Sequence, residues 1–218
     1  VGFCILLDGK PLRTPARTEL TLPNEALANA IAEEWRAQAH KIVPDSMPMT
    51  RLANMALDRI APRRHDAITQ IMRYAEHDLV CYRAAHPTDL GARQARTWDP
   101  LLAWLKAHHH AELETGTGIA HVEQSEKSLK ALAHSVAAHD DFELAALHAA
   151  TTVTGSLVIA LAFLGGRLDA EGAFACAHLD EAYQAEHWGE DAESQARAKR
   201  AAAELVAAER FLALLRKS

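Results

Sequence analysis

The stretch DDFELAALHAATTVTGSLVIALAFLGGRLDAEGAFACAHLDEAYQAEHWGED, residues 140–191, decides the fold, because it joins the longest apolar run of the chain to its densest group of acids and histidines. Asp140 followed three residues later by Glu143 is a capping-box pattern. It predicts a helix from Asp140 to Leu164, stopped where Gly165 and Gly166 supply a left-handed end. Thr151 to Ser156 is small and hydroxylated, so other backbones can approach closely. Leu157 to Leu164 is apolar on every side, which predicts a helix buried all round. Its eight residues fall far short of the ~20 that span a bilayer, so no membrane insertion is expected.

Asp169 caps a second helix that ends at Trp188, before Gly189, with Glu171 in its first turn opposing the helix dipole. At about 100° per residue, Cys176, Leu179 and Tyr183 form one apolar row. Phe174, Ala177, Ala185 and Trp188 form another roughly opposite, interrupted by Glu181. One row can pack on the apolar helix. The other needs a second cover, either another helix of the same domain or, if it is left bare, a binding partner.

Downstream, a helix from Asp191 to Leu215 carries Leu205, Ala208, Leu212 and Leu215 in a 3-4-3 stripe that closes the core. Upstream to Thr50 every segment reads as helix. Thr50 caps one, Pro62 starts another, Asp99 and Pro100 begin a third, and Lys127 to Ala138 forms a fourth. Gly116-Thr117-Gly118 reads as a flexible connector. Before Thr50 the pattern changes. Phe3 to Leu7 ends at Asp8-Gly9, a strong hairpin signal, and Leu12 to Thr14 and Glu19 to Leu22 continue in extended style. Pro23 and Asn24 open a helix with Leu27, Ile31 and Trp35, and Lys41 to Met49 is a loop or a short strand. The expected fold is α+β: a small antiparallel β-rich N-terminal domain with one helix, residues 1–49, followed by a larger all-helical C-terminal domain, residues 50–218.

The 218 residues are 49% apolar, enough for a sizeable core, and the formal charge of -6 argues against nucleic acid as the main partner. The cluster Arg59, Arg63, Arg64 and His65 reads as a solvated helix end. Cys4, Cys81 and Cys176 are odd in number, far apart and set in apolar patterns, which predicts reduced, buried thiols. No presequence precedes the first strand, and the chain begins with Val1 rather than Met.

Thirteen histidines invite a metal reading. A carboxylate-bridged bundle needs Glu-x-x-His on each of two helices, and the sequence contains none; His-Glu-x-x-His and paired Cys-x-x-Cys are absent too. His108 to His110 read as a solvated helix end. There is no Gly-x-Ser-x-Gly elbow and no phosphate loop. No metal, cofactor or catalytic residue is assigned. What remains distinctive is Trp188-Gly189-Glu190-Asp191. Two acids at the start of a helix favour the positive end of its dipole, which is an adequate structural account. The functional account makes Trp188 an anchor for a protein partner, with Glu190, Asp191 and Glu181 as fixed charges around it. An alternative is a helical metal- or small-molecule-binding enzyme using His178, Glu181, His187 and Glu190.

These residues belong to a wider pattern. Glu33-Glu34-Trp35, Met47-Pro48-Met49-Thr50-Arg51-Leu52-Ala53-Asn54, Tyr74-Ala75-Glu76-His77-Asp78-Leu79, and Arg93-Gln94 leading to Trp98-Asp99-Pro100-Leu101-Leu102 resemble motifs of one family. So do Thr154-Gly155-Ser156-Leu157, Gly166-Arg167-Leu168-Asp169, His178-Leu179-Asp180-Glu181 and Trp188-Gly189-Glu190-Asp191. The family is that of the F1-ATP synthase assembly chaperones that act on the alpha subunit, in mitochondria and related bacteria. The resemblance implies the same sheet-then-helix order, no enzymatic activity and no cofactor. It implies a holdase that binds free alpha subunit, prevents its aggregation and yields it to the beta subunit. It further implies a protein that is monomeric when free and located in the cytoplasm of a bacterium or in the mitochondrial matrix.

Overall fold

The computed structural model describes residues 2–189 and 191–217. The chain opens with β1 (Phe3–Cys4) and β2 (Leu6–Leu7), and β2 returns as β3 (Lys10–Pro11) through Asp8 and Gly9. Both turn residues have positive φ, 51° and 76°, the pair of left-handed conformations that an Asp-Gly hairpin turn supplies. β1 pairs antiparallel with β4 (Thr21–Leu22), and Arg13 bridges to Glu19 between them. Leu12, Leu20 and Leu22 turn inward to share a core with Leu27 and Ile31 of α1 (Glu25–Arg36), which Asn24 caps as expected. The exposed Cys4 departs from the expectation of a buried thiol, because the two-residue strand that carries it lies at the surface; Cys81 and Cys176 are buried.

After a tight turn at Pro44–Ser46, helices take over. α2 (Pro48–Met55) passes through a π-helical turn, Ala56–Ile60, and a 3-10 turn, Ala61–Arg63, into α3 (Arg64–Glu76). Thr50 therefore lies inside α2 rather than capping it. The cap comes from α1: the buried Glu34 carboxylate accepts from Met49 N at 2.7 Å, Thr50 N at 2.8 Å and Thr50 Oγ1 at 2.7 Å. Three donors at a helix start are thus satisfied across a tertiary contact. Asp58 does similar work for the sheet, accepting from Thr14 Oγ1 and Ala16 N at 2.6 and 3.0 Å. Asn24 Nδ2 donates to the carbonyls of Leu214 and Leu215 at the far end of the chain. The division at residue 49 stands as a proposal; residues on both sides of it contribute to one hydrophobic core.

A 3-10 turn at Leu79–Cys81 and β5 (Tyr82–Arg83) lead to α4 (Thr88–His109), which begins well before the expected start at Asp99. Pro100 sits inside it, exposed, at a position where a proline removes one ladder hydrogen bond, that to the Arg96 carbonyl. β6 (Gly116–Thr117) pairs parallel with β5, and Gly118 N donates to the Arg83 carbonyl at 2.8 Å. The glycine connector is therefore a fixed strand, and the region after Thr50 is not purely helical. His108 and His109 both lie against the Trp104 ring, so they are not the simple solvated end expected. Arg64 also leaves its predicted solvated cluster: it binds Asp141 at 2.5 Å and the carbonyls of Ala137 and His139. It thereby staples the junction of α5 (Glu126–Ala137) and α6 (Asp141–Thr154).

The Asp140–Glu143 capping box forms as predicted. The long helix it opens does not reach Leu164. Gly155, at φ 65°, ends α6, and Ser156 Oγ accepts from Ile159 N to begin α7 (Leu157–Leu164). Asp78 explains the break: it accepts from Ser156 Oγ at 2.5 Å, Val158 N at 3.0 Å and Val80 N at 3.2 Å, a buried carboxylate that a continuous helix could not engage this way. All of α7 is buried, surrounded by α3, α4, α6, α8 (Ala170–Ala177) and α10 (Ala192–Leu215). The second predicted helix is also two. Asp169 caps α8 through Gly172 N at 2.7 Å, but His178, at φ -104° and ψ 26°, separates it from α9 (Leu179–Trp188). Leu205, Ala208 and Leu212 of α10 are buried, as the stripe requires.

Candidate interaction surface

α9 buries only Leu179 and Tyr183, the continuation of the row that begins with Cys176. Polar side chains attach it to α4. Gln94 Nε2 donates to Asp180 Oδ1 at 2.8 Å, the Tyr183 hydroxyl donates to Asp89 at 2.8 Å, and Arg93 binds both Glu186 oxygens at 2.9 and 2.7 Å. The hydrogen bond from Tyr183 holds the Asp89 carboxyl below its ordinary range, and the one from Arg93 does the same to Glu186. Loss of hydration, then the bond to Asp89, pushes the Tyr183 phenol up.

The opposite row is covered only in part. Phe174, Ala177 and Ala185 are half-buried, and Trp188 is 74% exposed. The first fully buried side chain of α10 is Leu205, and its first three turns carry none. Between them and the α8–α9 face runs an open groove of about 1290 Å³, lined by Phe174, Ala182, Ala185, Ala198 and Ala202 among others. The sequence pointed to the α8–α9 wall through its apolar row. It held no sign of the α10 wall, where the only apolar side chains are alanines that any solvated helix could carry.

The predicted site residues fall around this groove in different roles. Glu181 is exposed and lines it. Trp188 is exposed and does not line it, although the next residue, Gly189, does. Asp191 also lines it and is the N-cap of α10, accepting from Ser194 N at 2.9 Å and Ser194 Oγ at 2.7 Å; those bonds hold its carboxyl below its ordinary range. Glu190 lies outside the described residues. Of the alternative metal set, the described members His178, Glu181 and His187 form no metal-ligand cluster. His178 stacks on Phe174 with Nδ1 3.3 Å from that residue's carbonyl, and His187 stacks on Tyr183 with Nδ1 2.8 Å from its carbonyl. Among the described residues, no three His, Cys, Asp or Glu side chains converge as metal ligands.

Several motif residues prove to be interior braces. Besides Glu34 and Asp78, Gln94 Oε1 accepts from Ala84 N at 2.7 Å, and the fully buried Trp98 donates from Nε1 to the Cys176 carbonyl at 2.9 Å. Burial pushes the Asp78 carboxyl up to about 6 against its own hydrogen bonds, and burial with the nearby Asp78 pushes the Cys81 thiol up to about 12. Cys81 is thus an inert core thiol, as expected.

A family model described as ATP12 chaperone protein matches residues 1–106. Among solved structures, Atp12 from Paracoccus denitrificans is 43% identical with a TM-score of 0.94, over 99% of this chain and 92% of that one. A single-substitution mutant of that protein gives the same values. A protein from Agrobacterium tumefaciens, provisionally described as a chaperone, is 41% identical with a TM-score of 0.92, over 99% of this chain and 81% of its own.

Proposed function

Because this chain belongs to the ATP12 chaperone family, we propose that it is a holdase for the free alpha subunit of F1-ATP synthase, which it keeps from aggregating and hands to the beta subunit during F1 assembly. The observation that carries this reading is the exposed Trp188 at the end of a half-buried apolar row, two of whose members, Phe174 and Ala185, line an open groove. A folded domain that leaves a large aromatic side chain and part of a helix face bare provides an anchor of the kind that dominates protein interfaces. Trp188 takes the client's apolar surface, and Glu181, Glu190 and Asp191 set register with its basic groups.

Release matters as much as capture. A micromolar complex is already worth about -8 kcal/mol, and a much tighter one would trap the client. A half-open groove with charged rims suits exchange better than a closed apolar interface. The protein acts without catalysis or cofactor, and as a monomer when free. Its net charge of -6 does not suit nucleic acid, and among the described residues no helix is long and apolar enough to cross a membrane. Its place of action is the bacterial cytoplasm, or the mitochondrial matrix in a eukaryote.

The test is light scattering of purified alpha subunit with and without this protein, with beta subunit and an unrelated acidic helical protein as controls. Suppression near one-to-one, relieved by adding beta, is the expected result. Equal suppression by the unrelated protein, or none by this one, overturns the reading.

A further inference from the structure

The two walls of the groove differ in sign. Glu171 and Glu181 stand on the α8–α9 side, exposed and with no ion-pair partner among the described residues. Arg197 and Lys199 stand on the α10 side, also exposed; Arg197 donates only to Ser194 Oγ and Lys199 has no partner among the described residues. Between them lie Phe174 and the alanines of both walls. Asp191 at the head of α10 and Arg93 of α4 also line the groove, but Asp191 is held by Ser194 and Arg93 by Glu186. The other charges leave a channel apolar along its middle, negative at Glu171 and Glu181 and positive at Arg197 and Lys199.

Both walls are helices, whose main-chain groups are already paired within themselves. An extended strand laid between them would find no sheet edge and would leave its own N–H and C=O groups against apolar walls. A helix brings its own hydrogen bonds. The α10 residues that line the groove run from Asp191 to Ala202, about 16 Å at 1.5 Å per residue, so a client helix of roughly two to three turns fits along it.

We propose that the groove receives one amphipathic helix of the client, with a ridge of small or medium apolar side chains two to three turns long. Lysine or arginine flanks that ridge where it meets α8 and α9, and aspartate or glutamate flanks it where it meets α10. This rests on the client-holding reading above and specifies which element of the client is held.

The full chain is tested by fluorescence anisotropy against labelled, side-chain-stapled helices that share one leucine–alanine ridge. The flanks carry lysine on one side and glutamate on the other, lysine on both sides, or glutamate on both sides. A fourth probe has the mixed composition with two internal prolines. The expected result is that the mixed helix binds roughly tenfold tighter than either single-sign helix, a margin suited to rim charges. The double variant Glu171→Lys with Glu181→Lys then prefers the all-glutamate helix, and Arg197→Glu with Lys199→Glu prefers the all-lysine one. Thermal melts establish that each variant is folded.

An unchanged rank order in both variants, equal binding of the proline-broken probe, or no binding of the mixed helix overturns the proposal. Scattering of alpha subunit separates the two readings. If wild type and the Glu171→Lys/Glu181→Lys variant protect equally, the groove assignment falls and holding stands. If wild type gives no protection while the peptide ranking holds, the client identity falls and the groove stands. A concentration-dependent dimer that this variant loses assigns the groove to a second copy of the chain and overturns the client helix.

Discussion

Asp78 and Trp188 both stand in runs that tie this chain to its relatives, yet they occupy opposite settings. Asp78 is fully buried and accepts three hydrogen bonds, two of which join the turn after α3 to the start of α7; Trp188 is 74% exposed at the end of α9 and holds nothing together. Motif membership alone therefore does not separate a brace from a contact. The separation comes from burial and partners: a motif residue with satisfied internal partners serves the fold, and one that faces solvent without them is available to a client.

The sharpest way to break that contrast is Asp78→Ala. It strips the acceptor from the backbone of Val80 and Val158 and from Ser156 in a dry site, and is expected to cost about 4 kcal/mol in denaturant unfolding. A loss below about 1 kcal/mol would mean that the junction is not a brace. Next is pH. The Asp78 carboxyl titrates at about 6 in the fold against 3.8 for an unperturbed aspartate, so its contribution to stability is fully present below 3.8 and is lost as pH rises through 6. The difference amounts to at most about 3 kcal/mol, and it is read as the part of the pH dependence of unfolding that Asp78→Asn removes.

Glu34→Ala should cost about 2 kcal/mol by unpairing the start of α2, with Glu34→Gln milder because one acceptor oxygen survives. Trp188→Ala sharpens the other side. It should leave unfolding within about 0.5 kcal/mol of wild type while weakening alpha-subunit protection by about 2 kcal/mol of binding, or some thirtyfold. Unfolding measured beside scattering shows whether the two effects part as expected.

What the sequence made legible was whatever its own neighbours enforce. The Asp140–Glu143 box, the Asp8-Gly9 hairpin, the Asp169 cap, the helix starts at Asn24 and Asp191 and the apolar α7 all act over a few residues, and all appear in the structure. The misread points depend on distant partners. Thr50 looked like a cap because a hydroxyl precedes a helical pattern, but its acceptor is Glu34. The break at Gly155 was hidden because Asp78, which anchors Ser156, lies 78 residues away. Pro100 suggested a helix start, and only the course of α4 puts it mid-helix. Of the candidate site, the α8–α9 row was visible as periodicity, whereas the groove depends on how α10 lies beside α8, which no local pattern encodes.

The polar attachment of α9 to α4 carries a consequence for motion. Gln94, Asp89 and Arg93 hold it through hydrogen bonds and one ion pair, and only two of its side chains are buried. Its amide protons should therefore exchange with deuterated solvent through a local opening, well ahead of those in α6 and α7, which report global unfolding. Added salt screens the Arg93–Glu186 pair and should widen that gap. One wall of the groove is then a separately opening unit, able to readjust around a bound helix at a free-energy cost well below that of unfolding the body that carries it.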